Sequence, residues 1–182
     1  MNAPFVALDP GAPCYVDRVP SPIGDLLLTG RDDALTGLYM LAAPGGRPPA
    51  TPPGARPEPG AFVTVKAQLR AYFAGERHDF DVPLSPVGSP FQLAVWSALT
   101  RIPYGTTTSY GSIARQLGKS PAASRAVGAA NGQNPIAVII PCHRVIGADG
   151  GLTGYGGGLD RKELLLRLEG AAAMAAQDAT LW

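Results

Sequence analysis

Residues 109–130 read SYGSIARQLGKSPAASRAVGAA, and this run decides the fold of the second half of the chain. Ser109 stands where an N-cap is wanted, ahead of a short helical stretch from Tyr110 to Leu117 that Gly118 stops. Ser120-Pro121 repeats the signal, a capping hydroxyl followed by a proline suited to the first turn, and opens a helix through Ala130. Two helices joined by a tight, glycine-containing turn make a helix-turn-helix. Its second helix, Ser124-Arg125-Ala126-Val127-Gly128-Ala129-Ala130, carries one long cation among small residues. A helix that reads base edges in a major groove carries Asn, Gln and Arg side chains. This slim one suits close approach to a nucleic-acid backbone or minor groove, with Arg125 inserted as a probe. The same composition also suits an alanine-rich packing helix with a solvent-facing arginine.

Working outward, Ser89-Pro90 is a second cap-plus-proline and opens a helix from Phe91 to Thr100, with Phe91, Val95, Trp96 and Leu99 on one side. Asn131, Gly132, Asn134 and Pro135 break the helix-turn-helix, and Ala137 to Ile140 reads as a buried extended segment. Asp160 and Glu163 have capping-box spacing before an apolar face of Leu164, Leu165 and Leu168, and Gly170 ends that helix. The N-terminal part reads as short strands at Cys14 to Val19, Asp25 to Thr29 and Leu35 to Leu41, separated by turn chemistry. A Pro-rich exposed loop at 44–60 follows, then a helix from Val63 to Ala74 with Val65, Leu69, Tyr72 and Phe73 in helical period. Asp79 to Val82 reads as a short strand. These patterns predict an α+β chain: an N-terminal α/β domain at 1–84, a linker at 85–89, a helical domain at 90–170 and a tail at 171–182.

The 182 residues carry 23 glycines and 19 prolines, a share close to that of low-complexity chains. Eleven of these fall in 44–60 and seven glycines in 147–158, so the rest is ordinary globular sequence. No apolar run approaches the ~20 residues of a membrane span, and the N-terminus lacks the basic start of a secretory signal. Two cysteines, Cys14 and Cys142, are too few for a disulfide scaffold and fit a cytoplasmic protein with reduced thiols. Two histidines and two cysteines without metal-binding spacing argue against a structural zinc site. The net charge is +1, but it is unevenly spread. From Val82 to Ala148 there is no Asp or Glu, while Arg101, Arg115, Lys119, Arg125 and Arg144 are all positive. A polyanion-binding face has this distribution.

The chemistry concentrates at Pro141-Cys142-His143-Arg144-Val145. A thiol of ordinary pKa ~8.5 is only a few per cent thiolate at neutral pH, and a nearby imidazole or guanidinium raises that fraction. In extended chain Cys142 and His143 point to opposite faces, so their cooperation requires a bridging water or a turn at Pro141. The run Gly154-Tyr155-Gly156-Gly157-Gly158 lacks the ending of a phosphate-binding loop and reads as a flexible pocket wall.

Ile140-Pro141-Cys142-His143-Arg144-Val145 is preceded by Arg125-Ala126-Val127-Gly128 and Asn134-Pro135. It is followed by Gly154-Tyr155, Lys162-Glu163 and Glu169-Gly170. Together these resemble the O6-alkylguanine-DNA alkyltransferases, strongly from about Pro90 to Gly170 and weakly before it. The resemblance implies a ribonuclease-H-like N-terminal domain and a helical C-terminal domain carrying the site. It implies direct reversal of DNA damage, in which the alkyl group of O6-alkylguanine, and of O4-alkylthymine, passes irreversibly to Cys142. His143 would act as base through a water, Glu169 would hold the imidazole, Tyr110 would donate to the departing guanine, and Asn134 would brace the turn before the nucleophile.

By the same resemblance Ser124, Arg125, Ala126, Gly128 and Ala129 would meet the minor groove of double-stranded DNA, Arg125 filling the gap left by a flipped base. Val145, Tyr155 and Gly156 would line the base pocket. Many relatives have a hydroxyl-bearing residue at the position of Gly156. No cofactor, no metal and no membrane is implied, and the protein would act as a monomer. Two rivals stand beside this reading: a non-enzymatic helix-turn-helix protein that binds or senses damaged DNA, and a cysteine hydrolase built on Cys142, His143 and Glu169.

Overall fold

The computed structural model describes residues 5–9, 11–31, 33–41 and 51–171. The chain divides into two compact units, Met1–Val87 with Pro135–Ile139, and Gly88–Asn134 with Ile140–Trp182. The tail expected at 171–182 lies, after Ala171, outside the described residues, as do residues 44–50 of the Pro-rich loop.

The first unit is a sheet of order β3-β2-β1-β4, formed by β1 (Cys14–Val19), β2 (Leu26–Arg31), β3 (Ala34–Met40) and β4 (Arg56–Pro57). β1 and β2 form an antiparallel hairpin pairing Cys14 with Arg31 and Val19 with Leu26. Its turn is closed by the Gly24 N–H donating to the Ser21 carbonyl at 3.0 Å. β4 pairs parallel to β1 through Tyr15–Arg56, so the end of the Pro-rich stretch is part of the sheet rather than free loop. Helix α1 (Val63–Phe73) buries Val65, Leu69 and Tyr72, one face at helical spacing. Asp79 to Val82 is not a strand; pairing instead occurs at Leu84, bridged to Phe5 and Leu35.

The extended segment expected at Ala137–Ile140 is also different. Leu38 donates to the Pro135 carbonyl and accepts from Ala137, which leaves Ile136 in a single bridge. The chain then turns sharply. Ile139 N–H donates to Ala137 O at 2.8 Å across Val138, whose φ is +70°, a γ-turn that few β-branched residues adopt. An apolar run predicts burial correctly, and Ile136, Val138 and Ile140 are buried, but it does not distinguish a strand from consecutive tight turns.

The second unit comprises α2 (Pro90–Leu99), β5 (Thr108–Ser109), α3 (Tyr110–Gln116), α4 (Ser124–Gly132), β6 (Val145–Ile146) and α5 (Leu159–Leu168). Each cap-plus-proline signal is used. Ser89 and Gln92 form a full capping box on α2, Ser109 accepts from Ser112 N–H, and Ser120 caps a 3₁₀ turn, Pro121–Ala123, that leads into α4. Trp96 is buried and donates its indole N–H to Ala130 O at 2.8 Å, fastening α2 to the end of α4. β5 and β6 pair in parallel, Thr108 with Val145.

Helix α5 departs from the sequence reading at its N-terminus and in its buried face, and stops at Gly170 as expected. Its N-cap is Gly158 with no side-chain cap, so Asp160 and Glu163 do not form the expected box. Its buried residues are Lys162, Leu165 and Leu166, while Leu164 is exposed. The C-terminus is a Schellman motif: Gly170, at φ +63°, donates to Arg167 O and Ala171 donates to Leu166 O. Leu166 and Ala171 pack together with Ile146 beneath it. Glu169 is therefore the C-cap residue, with its backbone fixed on both sides.

Candidate active site

Cys142 is presented by a second three-residue turn. Its N–H donates to Ile140 O at 2.8 Å across Pro141, whose φ of −81° and ψ of 64° are those of an inverse γ-turn. A 3₁₀ turn, Cys142–Arg144, follows, so Cys142, His143 and Arg144 do not alternate across a strand and all three are buried. The turn required at Pro141 is present.

Around this turn the second unit closes a buried polar network. The carboxylate of Glu169 accepts from His143 Nε2 at 2.8 Å, and in two parallel bonds from Arg144, Nε to Oε2 at 2.8 Å and Nη2 to Oε1 at 2.9 Å. Gly105 N–H adds a fourth bond at 3.3 Å. Arg144 spends its remaining nitrogen on Ile102 O and lies 5.8 Å from the Tyr104 ring centroid. A carboxylate held in an arginine fork is ionised and only accepts. The proton on the His143–Glu169 bond therefore belongs to Nε2, and Nδ1, which has no hydrogen-bond partner among the described residues, carries the free lone pair.

Two residues of the sequence reading act on the thiol. Asn134 donates to Ile140 O at 2.7 Å, and its side chain also hydrogen-bonds Cys142. Burial pushes the Cys142 thiol up, and Asn134, the nearby Lys162 charge and the Tyr155 side chain pull it back. Burial pushes His143 below the usual imidazole range, opposed by Glu169 and reinforced by the charges of Arg144 and Lys162. At rest the pair is a neutral thiol and a neutral imidazole, so forming the thiolate requires the base.

Val145 is buried, and its carbonyl accepts from Lys162. Gly156 is exposed; a Cβ there would meet only Gly132 O at 3.6 Å, ordinary contact, so a side chain is sterically allowed. Tyr110 opens α3, with its hydroxyl 3.4 Å from Thr153 Oγ1 and its ring 3.7 Å from where a Gly128 side chain would begin. On α4, Arg125, Ala126 and Ala129 are exposed, Ser124 and Gly128 are half-buried, and Val127 and Ala130 face inward.

Two cations of the second unit are buried. Arg144, one of the five cations of the acid-free segment, is 6 % exposed and paired with Glu169, which leaves Arg101, Arg115, Lys119 and Arg125 at the surface. Lys162 is fully buried and donates to Val145 O at 2.6 Å and to Thr153 O at 2.8 Å, pinning the glycine-rich wall to β6. Burial lowers its pKa to about 8. The signal for it was present: Lys162, Leu165, Leu166 and Glu169 recur at i, i+3, i+4 and i+7, and a charge at such a buried position has a partner. Among the described residues no three His, Cys, Asp or Glu side chains cluster as metal ligands would.

Gly105 completes the support of Glu169. Its φ is +71°, and a Cβ there would lie 2.8 Å from Glu169 O. Gly105→Ala is expected to cost about 2 kcal/mol in urea unfolding, combining backbone strain with a backbone clash.

Both halves of the chain match family models. Residues 15–86 match the ribonuclease-like domain of 6-O-methylguanine DNA methyltransferase, and residues 90–171 match its DNA-binding domain. A methylated-DNA–protein-cysteine methyltransferase of Mycolicibacterium paratuberculosis is 58% identical over 151 residues, 83% of this chain and 89% of the relative. One from Mycobacterium bovis is 56% identical over 164 residues, 90% and 96% of the two chains. The crystal structure of Mycobacterium tuberculosis OGT in complex with DNA superposes with a TM-score of 0.80 at 52% identity, covering 88% of this chain and 96% of that one. No helix among the described residues is long and apolar enough to cross a membrane. With two domain models in the expected order and more than half of the aligned residues shared with such relatives, the chain belongs to the 6-O-methylguanine DNA methyltransferase family.

Proposed function

We infer that the protein repairs alkylated DNA by moving the alkyl group from O6 of guanine to Cys142, once per molecule. The observation that carries this reading is the buried Cys142 followed directly in the chain by His143, whose tautomer is set by Glu169, in a chain of this family. The Cys142 proton passes to His143 Nδ1, directly or through a water. The sulfur attacks the alkyl carbon as the carbon–O6 bond breaks, and guanine leaves with a proton in place of the alkyl group. Tyr110 is suited to donate to the departing ring, since a phenol both donates and accepts. The product is a thioether, which water does not cleave, so the protein is consumed and no cofactor enters the balance. O4-alkylthymine, with the same leaving-group chemistry, is a second substrate of this reading.

A base inside the stack is out of reach of a buried thiol, so the nucleotide is extruded from double-stranded DNA. The exposed, slim face of α4 enters the minor groove through Ser124, Ala126, Gly128 and Ala129, with Arg125 in the vacated space. Val145, Tyr155 and Gly156 line the pocket. The protein acts as a monomer and works where DNA is, which in the bacteria and archaea of its relatives is the cytoplasm.

The test is the mass of the intact protein after incubation with a duplex holding one O6-methylguanine. The expected gain is one CH₂, on the peptide containing Cys142. Bound DNA with unmodified protein would indicate a regulator, and multiple turnovers a hydrolase. In the same assay Arg125→Ala is expected to slow repair of duplex by ~100-fold, the price of a few kcal/mol of unstacking left unassisted, while reaction with free O6-alkylguanine base stays within about threefold. Equal losses on both substrates would show that Arg125 does not serve extrusion.

A further inference from the structure

Arg144 has no place in the transfer just described, yet it makes more bonds to Glu169 than His143 does. We propose that Arg144 is a positioning residue that keeps His143 a neutral base, by balancing the Glu169 carboxylate with its own permanent charge so that the imidazole need not hold a proton at rest; this rests on the alkyl-transfer reading.

The geometry gives the reason. Glu169 is 4 % exposed and sits at the C-cap of α5, where the helix dipole disfavours an anion. Without a cation such a carboxylate takes a proton or recruits one on its nearest partner, and that partner is His143, fully buried at 2.8 Å. The Arg144 fork fills both oxygens, and Ile102 O and the Tyr104 ring hold the guanidinium in place. The cluster of Glu169, Arg144 and neutral His143 then has no net charge. Protonating His143 leaves it at +1, a state that becomes favourable only when Cys142 turns into a thiolate beside it. The base is thus unloaded before the reaction and loaded by it.

Besides Arg144, the charged groups acting on His143 are Glu169 and Lys162, and Cys142 precedes it in the chain. Lys162 is a cation, but its ammonium is bonded to Val145 O and Thr153 O, whereas Arg144 is bonded to the carboxylate. The charges of both push the imidazole down, and Glu169 pushes it up. Removing Arg144 therefore raises His143, and the protonated form, useless as a base, persists to higher pH.

The experiment uses the full-length protein. Single-turnover transfer from an O6-methylguanine duplex is measured from about pH 5.5 to 9, with His143 protonation followed by ¹⁵N NMR; His78 is the only other histidine. In the parent protein the rate is flat through neutrality and falls only below the usual imidazole range. In Arg144→Gln the acid limb moves up by at least one pH unit, so on the acid side of both limbs the rate falls ~10-fold further than at pH 9, and the His143 titration followed by NMR moves up with it. Arg144→Lys keeps the charge without the fork, so its rate is lower but its acid limb stays near that of the parent.

An Arg144→Gln variant slowed by one factor at all pH values, with His143 neutral, would make Arg144 merely structural and overturn the proposal. Should Arg144→Gln not fold, Arg144→Lys decides: a limb that stays supports the proposal, and one that moves up overturns it. If the parent transfers no alkyl group, the transfer reading fails, and the His143 titration in the two variants still decides the role of Arg144.

Discussion

Cys142→Ala is expected to bind an O6-methylguanine duplex and accept nothing: no mass gain on the protein and no loss of methyl groups from the DNA. Cys142→Ser gives the same null result although it preserves the shape of the site. A serine hydroxyl is a far weaker nucleophile than a thiolate and is not ionised by an imidazole without an oxyanion-stabilised acyl reaction to drive it. The pair of variants separates chemistry from packing. Alanine leaves a small void at a residue that is 5 % exposed and is expected to cost about 1 kcal/mol, while serine leaves almost none. If either variant still removed methyl groups stoichiometrically, the acceptor would have to be another residue. Binding persists because Cys142 lies outside α4, whose exposed face carries the proposed contact with DNA.

The second large effect is that of Glu169→Ala, which acts on rate and stability together. The rate falls because His143 loses the acceptor that holds its proton on Nε2 and leaves Nδ1 free. Loss of an oriented base costs ~10²–10⁴-fold. Stability falls because Arg144, buried and always charged, is left without its carboxylate, and breaking a buried pair costs about 3–5 kcal/mol. Urea unfolding and single-turnover transfer should therefore both respond. A variant that lost rate alone would show that the fork contributes little to folding, and one that lost stability alone would remove Glu169 from the proton path.

The helices of the second unit were legible because their boundaries are written in local chemistry. Ser89-Pro90, Ser109 and Ser120-Pro121 are used as caps, and Gly118 and Gly170 adopt positive φ at the stops. Cys142, His143 and Glu169 were legible from the resemblance, and the geometry joins His143 to Glu169 directly and places Asn134 at the turn before the thiol. What could not be read lies in three-dimensional pairing. Arg144 looks like surface charge until Glu169, twenty-five residues away, comes into view, and the spacing that puts Lys162 on a buried face does not name its partner, Val145 seventeen residues away. Likewise Ala137–Ile140 is apolar enough for a strand, and only the backbone shows that it is spent on turns.

Those turns fix the length of the segment that delivers the nucleophile. From Ala137 to Arg144 the chain passes through a γ-turn at Val138, an inverse γ-turn at Pro141 and one 3₁₀ turn, each about the shortest ring that a backbone hydrogen bond can close. There is no slack in such a path. An inserted residue would have to open one of the rings, and a deleted one would have to shorten a ring that has nothing to give. Substitutions in this stretch are thus judged by packing and chemistry, but changes in residue number are judged by geometry alone. The glycine-rich run at 147–158, held chiefly by Lys162 and by the Gly147–Gly151 turn, is where variation in length has room to occur.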